Sequence, residues 1–141
     1  MADRVVVYAY VAGDLVHVGQ RRALQQAKNL GDYLIVGVIT DGGIEAYKRR
    51  PVIPFCERLE MIQHLDCVDL AVKQESLDPV PNLIKYQPDI VAHGDDWEND
   101  FPGAEYMRSI GKKALRTKYY DGQSTTKIIE GIKQRIIQGT L

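Results

Sequence analysis

In the stretch Ala12-Gly13-Asp14-Leu15-Val16-His17-Val18-Gly19-Gln20 an imidazole is followed within three residues by a glycine and an amide, and each of these types suits the handling of phosphate. An imidazole N–H and an amide N–H can donate to phosphoryl oxygens, and a glycine admits an anion to the backbone with no Cβ in the way. Three further groups point the same way. Lys48-Arg49-Arg50 is a short basic run, of which one member is expected to be functional and the others solvated. Ser124-Thr125-Thr126 is an N-cap signature, and the free N–H groups behind such a cap are those that also hold phosphate. Gly94-Asp95-Asp96-Trp97 combines turn chemistry with a carboxylate pair that could equally be a magnesium site.

The elements that must position these groups alternate along the chain. Val5 to Ala9 reads as a strand and Arg21 to Leu30 as a helix, with Ala23, Leu24, Ala27 and Leu30 on one face and Gly31 as the stop. Tyr33 to Ile39 is a near-continuous apolar run, as suits a parallel strand covered on both sides. Thr40-Asp41-Gly42-Gly43 turns the chain, and Pro54 opens a second helix that buries Phe55, Leu59 and Ile62. Val68, Leu70 and Val72 alternate with polar or small residues, which marks an edge strand. A helical piece from Pro79 to Tyr86 leads to a buried strand, Pro88 to His93. Pro102 begins a helix carrying Met107 and Ile110 inward, and Leu115 to Tyr119 forms the opposite edge. The last helix carries Ile128, Ile129, Ile132 and Ile136 as its core stripe.

This alternation argues for a Rossmann-like, doubly wound α/β fold: a five-stranded parallel sheet in the order 3-2-1-4-5 with helices on both faces. The chain reverses direction between strands one and four, so ligand is expected in the crevice beyond their carboxyl ends. The His17 motif ends strand one and the Gly94 motif ends strand four; both reach that crevice.

Length fits one domain spanning 1–141. Eighteen basic against nineteen acidic residues give a net charge of −1, so no overall field draws nucleic acid or an anionic membrane. Cys56 and Cys67 have no metal-type spacing, and no apolar run is long enough to span a bilayer. The expectation is a cytoplasmic protein with free thiols.

Taken together, these residues resemble the His-x-Gly-His nucleotidylyltransferase superfamily, and within it the small cytidylyltransferases. Asp14 to Gly19, Leu30-Gly31-Asp32-Tyr33-Leu34, Lys48, Glu57-Arg58, Val68-Asp69, Gly94-Asp95-Asp96-Trp97-Glu98 and Ser124-Thr125-Thr126-Lys127-Ile128 fall in that family's order and near its spacing. The chain departs from the pattern in having Gln20 for the second motif histidine, Val11-Ala12 for a Gly-Thr pair, Asp66 for one arginine, and Tyr119 for another, with Lys118 and Arg116 nearby.

The resemblance implies transfer of a cytidylyl group from magnesium-bound CTP to a small phosphate or phosphonate, with release of pyrophosphate. It places His17, Gln20 and Lys48 at the chemistry. Val11, Ala12, Asp14, Gly19, Gly94, Asp95, Asp96, Trp97, Ser124, Thr125 and Thr126 would lie against the nucleotide, and Lys48, Arg58, Lys118 and Tyr119 against the acceptor or its phosphate. A homodimer is implied as well. Phosphonoformate, 2-aminoethylphosphonate and glycerol 3-phosphate are the acceptors to consider. A non-catalytic nucleotide-binding module that lost activity with the second histidine, or an adenylyltransferase on the same fold, is the alternative.

Overall fold

A computed structural model describes residues 3–95, 99–118 and 120–141. Its elements run β1 (Val6–Val11), α1 (Val18–Lys28), β2 (Tyr33–Ile39), α2 (Asp41–Glu45), α3 (Phe55–Gln63), β3 (Leu70–Gln74), α4 (Val80–Tyr86), β4 (Ile90–Gly94), α5 (Ala104–Ser109), β5 (Lys113–Thr117) and α6 (Thr125–Gln138). The five strands form one sheet in the order β3-β2-β1-β4-β5, every neighbouring pair parallel. The expected topology is therefore the observed one.

Alternation along β1 divides the core in two. Val7 and Ala9 face one side of the sheet, where Leu24 and Ala27 of α1 and Ile62 of α3 cover them. Tyr8 and Tyr10 face the other, against Ile44 of α2, Leu83 of α4 and Met107 of α5. Side chains of this size contribute about 1.5–3 kcal/mol each when fully buried. The central strands are nearly all buried, whereas β3 and β5 keep exposed positions, as edges should.

Four local expectations are corrected. Helix α1 begins at Val18, because His17 caps it, and not at Arg21. Thr40 to Gly43 is no simple turn: the Thr40 hydroxyl accepts from Gly43 N and caps the short helix α2. Ile110 lies past the end of α5 and is half exposed, leaving Met107 to fill the core. Helix α6 forms behind its Ser124 cap, but Ile132 and Ile136 are 42% and 61% exposed, and Ile137 beside them 78%. The stripe is amphipathic as the sequence indicates, and Ile128 and Ile129 are half-buried, but among the described residues no element covers its outer part.

Candidate active site

At the carboxyl ends of β1 and β4 lies a cavity of about 280 Å³ with two different halves. His17, Gln20, Lys48 and Ser124 give it a polar end. Ala9, Ala23, Leu24, Ala27 and Ala92 give it an apolar recess beneath α1. A second cavity of about 40 Å³ adjoins it, sharing Ala12, Gln20 and Lys48 and adding Asp14, Arg49 and Thr125. Gln20 and Lys48 thus stand between a larger and a smaller compartment.

His17 is the N-cap of α1, and its Nδ1 accepts from Gly19 N at 3.0 Å. An accepting Nδ1 leaves Nε2 as the nitrogen that carries hydrogen, so this cavity-lining ring presents a neutral donor. Burial holds the imidazole pKa below its ordinary value of 6.5, and protonating Nδ1 would set two N–H groups against each other. Gly19 is part of the same construction. A Cβ there would meet His17 Cε1 at 2.9 Å and Nδ1 at 3.0 Å, so only glycine lets the ring fold back onto its own helix.

Asp14 holds the other side of the turn. Its two carboxylate oxygens accept from Val52 N at 2.9 Å and Ile53 N at 3.0 Å. Its carbonyl accepts from the Thr125 hydroxyl at 2.9 Å. Asp14 lines the smaller cavity and also fastens the Lys48 segment and the start of α6 to the end of β1. Lys48 is carried into both cavities by that segment, and its pKa is lowered, first by desolvation and then by the neighbouring Arg49. An arriving anion relieves both costs.

Arg58 is corrected. It was expected at the acceptor, but its side chain is fully buried and its donors are spent on protein groups. They reach the carbonyls of Ile53 at 2.9 Å, Ile39 at 2.8 Å and Ala12, and the carboxylate of Asp41 at 2.8 Å. One guanidinium therefore joins the ends of β1 and β2 to the start of α2 and to the basic segment. The Asp41 carboxyl is held below the usual range chiefly by that bond.

The remaining candidates divide as follows. Ala12, Gly94, Val11 and Ser124 line the larger cavity, and Thr125 the smaller. The Ser124 hydroxyl accepts from Lys127 N at 3.0 Å, and Thr126 takes a long contact of 3.4 Å from Arg49. Thr125 and Thr126 are the first helical residues, whose N–H groups have no carbonyl in the helix to bond. Asp95 donates its N–H to Thr117 O at 2.9 Å and lines neither cavity. Lys118 exchanges backbone bonds of 2.7 and 3.1 Å with the Gln26 side chain, and its own side chain is exposed outside the cavity. Asp96, Trp97 and Tyr119 lie outside the described residues.

Sequence reasoning missed Tyr10, Thr117, Tyr120 and Gln123 as lining residues, and placed His93 only as the end of a buried strand. His93 lines the cavity while stacking on Tyr10 at 4.4 Å and 11°. The strand endings were a usable signal for His93 and Thr117, because each sits in the last two residues of its strand.

No group of three or more His, Cys, Asp or Glu that could hold a metal ion occurs among the described residues. Asp14, which lines the smaller cavity, has both carboxylate oxygens engaged, so the described residues form no metal cage.

The family model described as cytidylyltransferase-like matches residues 14–131, which takes in the residues lining both cavities except Ala9 to Ala12 at the end of β1. The chain belongs to the cytidylyltransferase-like family. It is a nucleotidyltransferase-type domain of that family, with the Rossmann-like sheet. Among relatives, "Bifunctional protein HldE" of Citrifermentans bemidjiense is 35% identical over 130 residues, spanning 90% of this chain and 27% of the relative. The protein of that name from Geotalea uraniireducens is 36% identical over 123 residues, spanning 85% and 25%. The chain thus spans about a quarter of the length of these relatives. A lipopolysaccharide core biosynthesis protein from Thermoplasma volcanium superposes with a TM-score of 0.75 at 30% identity, covering 84% of this chain and all of that one. No helix among the described residues is long and apolar enough to cross a membrane.

Proposed function

We propose that this domain transfers the CMP group of CTP to a small phosphonate or phosphate and releases pyrophosphate. The observation that carries the reading is the His17 arrangement: a neutral imidazole, fixed by Gly19 N, lining a cavity that is polar at one end and apolar at the other. That polarity suits a nucleoside phosphate, and the adjoining 40 Å³ compartment suits the head of a second, smaller anion.

In this reaction an oxygen of the acceptor attacks the α-phosphorus of magnesium-bound CTP, the bond from that phosphorus to the bridging oxygen breaks, and the electron pair leaves with pyrophosphate. No protein nucleophile is needed. His17 Nε2–H donates to the phosphoryl oxygens as charge gathers on them, which is where such a donor lowers the barrier. Lys48, bordering both compartments, offsets the repulsion between the two anions, and the N–H groups of Thr125 and Thr126 receive phosphate at the start of α6. Gln20 replaces a potential cation with a neutral amide. Its Oε1 is the single buried side-chain atom without a hydrogen-bond partner among the described residues. A site with one positive charge fewer suits 2-aminoethylphosphonate, whose ammonium offsets part of its anionic charge, and phosphonoformate and glycerol 3-phosphate are the acceptors to set beside it.

Pyrophosphate release measured for CTP and ATP against these three acceptors tests the proposal. CTP with a phosphonate should be the fastest pair. Release only with ATP would make the domain an adenylyltransferase, and CTP binding without release from any pair would make it a binding module. Pairing of two copies belongs to the same reading, and sedimentation showing only monomer at micromolar concentration would count against it.

A further inference from the structure

Tyr120 has no part in the mechanism above, yet the chain fixes it with some care. Its ring lines the larger cavity. The Arg22 guanidinium lies 4.3 Å from the ring centroid, covering one side of it. Gly122 gives the phenol its place: a Cβ there would meet Tyr120 Oη at 2.2 Å and Cζ at 2.3 Å. One turn along α1 from Arg22, the Gln26 amide clasps Lys118 through both its N–H and its carbonyl, so the segment leaving β5 is fastened to α1 at two points. The rest of the recess is aliphatic, walled by Ala23, Leu24, Ala27 and Ala92. Three alanines leave a space that larger side chains would have filled, and an aromatic residue stands at its border.

We infer that Tyr120, backed by Arg22, is the stacking platform for the nucleobase. The inference rests on the proposed nucleotide reading and adds the residue that holds the base. An aromatic ring at the border of a cavity can stack a heteroaromatic group, which needs no particular hydrogen-bonding edge to do so, and a neighbouring cation adds to the attraction. The aliphatic recess takes the same flat group from the remaining sides. The phosphates then extend toward His17, Lys48 and Ser124, and the base contributes affinity that the phosphates alone do not have.

Calorimetric titration with CTP and with inorganic tripolyphosphate, which has no base, tests this. Tyr120→Ala should weaken CTP at least ten-fold, equivalent to about 1.4 kcal/mol. Tyr120→Phe should bind CTP within two-fold of wild type. Both variants should bind tripolyphosphate within two-fold of wild type. If thermal melting shows Tyr120→Ala partly unfolded, Tyr120→Leu, which keeps apolar bulk without the ring, takes its place under the same criteria. Equal weakening of tripolyphosphate would mean that Tyr120 serves the phosphates or the loop, and would overturn the inference. So would CTP affinity unmoved by loss of the ring, or lost as fully in Tyr120→Phe. Wild-type protein that binds CTP no better than tripolyphosphate would overturn it as well. Wild-type CTP binding without turnover would instead fail the transfer reaction and leave the platform standing.

Discussion

A single methyl group at position 19 should separate stability from turnover. In Gly19→Ala the new Cβ would lie 2.9 Å from His17 Cε1, 3.0 Å from its Nδ1 and 3.1 Å from the Gln123 carbonyl oxygen, so the imidazole must swing away. Two stability effects then oppose each other. Alanine for glycine inside a helix gains about 1 kcal/mol, and losing the His17 cap costs roughly the same. The melting temperature should therefore move little. Catalysis has no such compensation, because the displaced ring takes its Nε2–H out of the cavity. A lost donor to a developing oxyanion is worth about 2.7–4 kcal/mol, or on the order of 10²–10³ in kcat. Differential scanning calorimetry and pyrophosphate release on the same preparation read both quantities. Turnover within three-fold of wild type would refute the role assigned to the His17 pose, and a large fall in melting temperature would refute the claim that the effect is confined to the ring.

Other perturbations reach the neighbouring groups. Arg58→Met removes a fully buried guanidinium and leaves Asp41 and three carbonyls without it. Urea denaturation should show a loss of about 3–5 kcal/mol, and a loss below 1 would show that these groups find other partners. Gln20→His restores a pair of imidazoles and should give no gain with the native acceptor; a clearly faster variant would identify Gln20 as a defect. Because burial lowers the His17 pKa, the folded state takes up its proton less readily than the unfolded chain does. Its contribution to stability is present above about pH 6.5 and is lost as pH falls through the lowered folded value. The kcat/KM profile should likewise stay flat through neutrality and fall only on the acid side, and an acid limb centred above pH 7 would contradict a neutral donor.

Sheet order and the crevice were legible because they depend on patterns that burial imposes directly. Continuous apolar runs in β1 and β2 against alternation around β3 sort centre from edge, and β1 is read on both sides of the sheet through Val7 and Tyr8. The pairing of His17 with Gly19 was legible because one turn sets the spacing between them. The role of Arg58 was not, because whether a charged side chain meets a ligand or a row of backbone groups depends on which loop folds over it. The sequence around Arg58 is that of an amphipathic helix and gives no sign that three carbonyls converge on it. Tyr120 escaped notice because Arg22 and Gly122, which fix it, lie on either side of a gap of a hundred residues. The Ile132 and Ile136 stripe was read correctly as amphipathic and wrongly as covered, since periodicity reports a face but not what meets it.

The way Asp14 is used has a consequence for how the amides of this protein exchange with solvent. Val52 and Ile53 belong to an irregular, largely exposed segment flanked by prolines, where backbone N–H groups ordinarily exchange fast. Their protons are instead bound to a carboxylate at 6% exposure, so they open only when the turn after β1 lets go. Slow exchange at these two positions, in a loop otherwise free to exchange, is a direct clock for that release. It reports how often the lysine-bearing segment leaves the polar end of the cavity with no ligand bound.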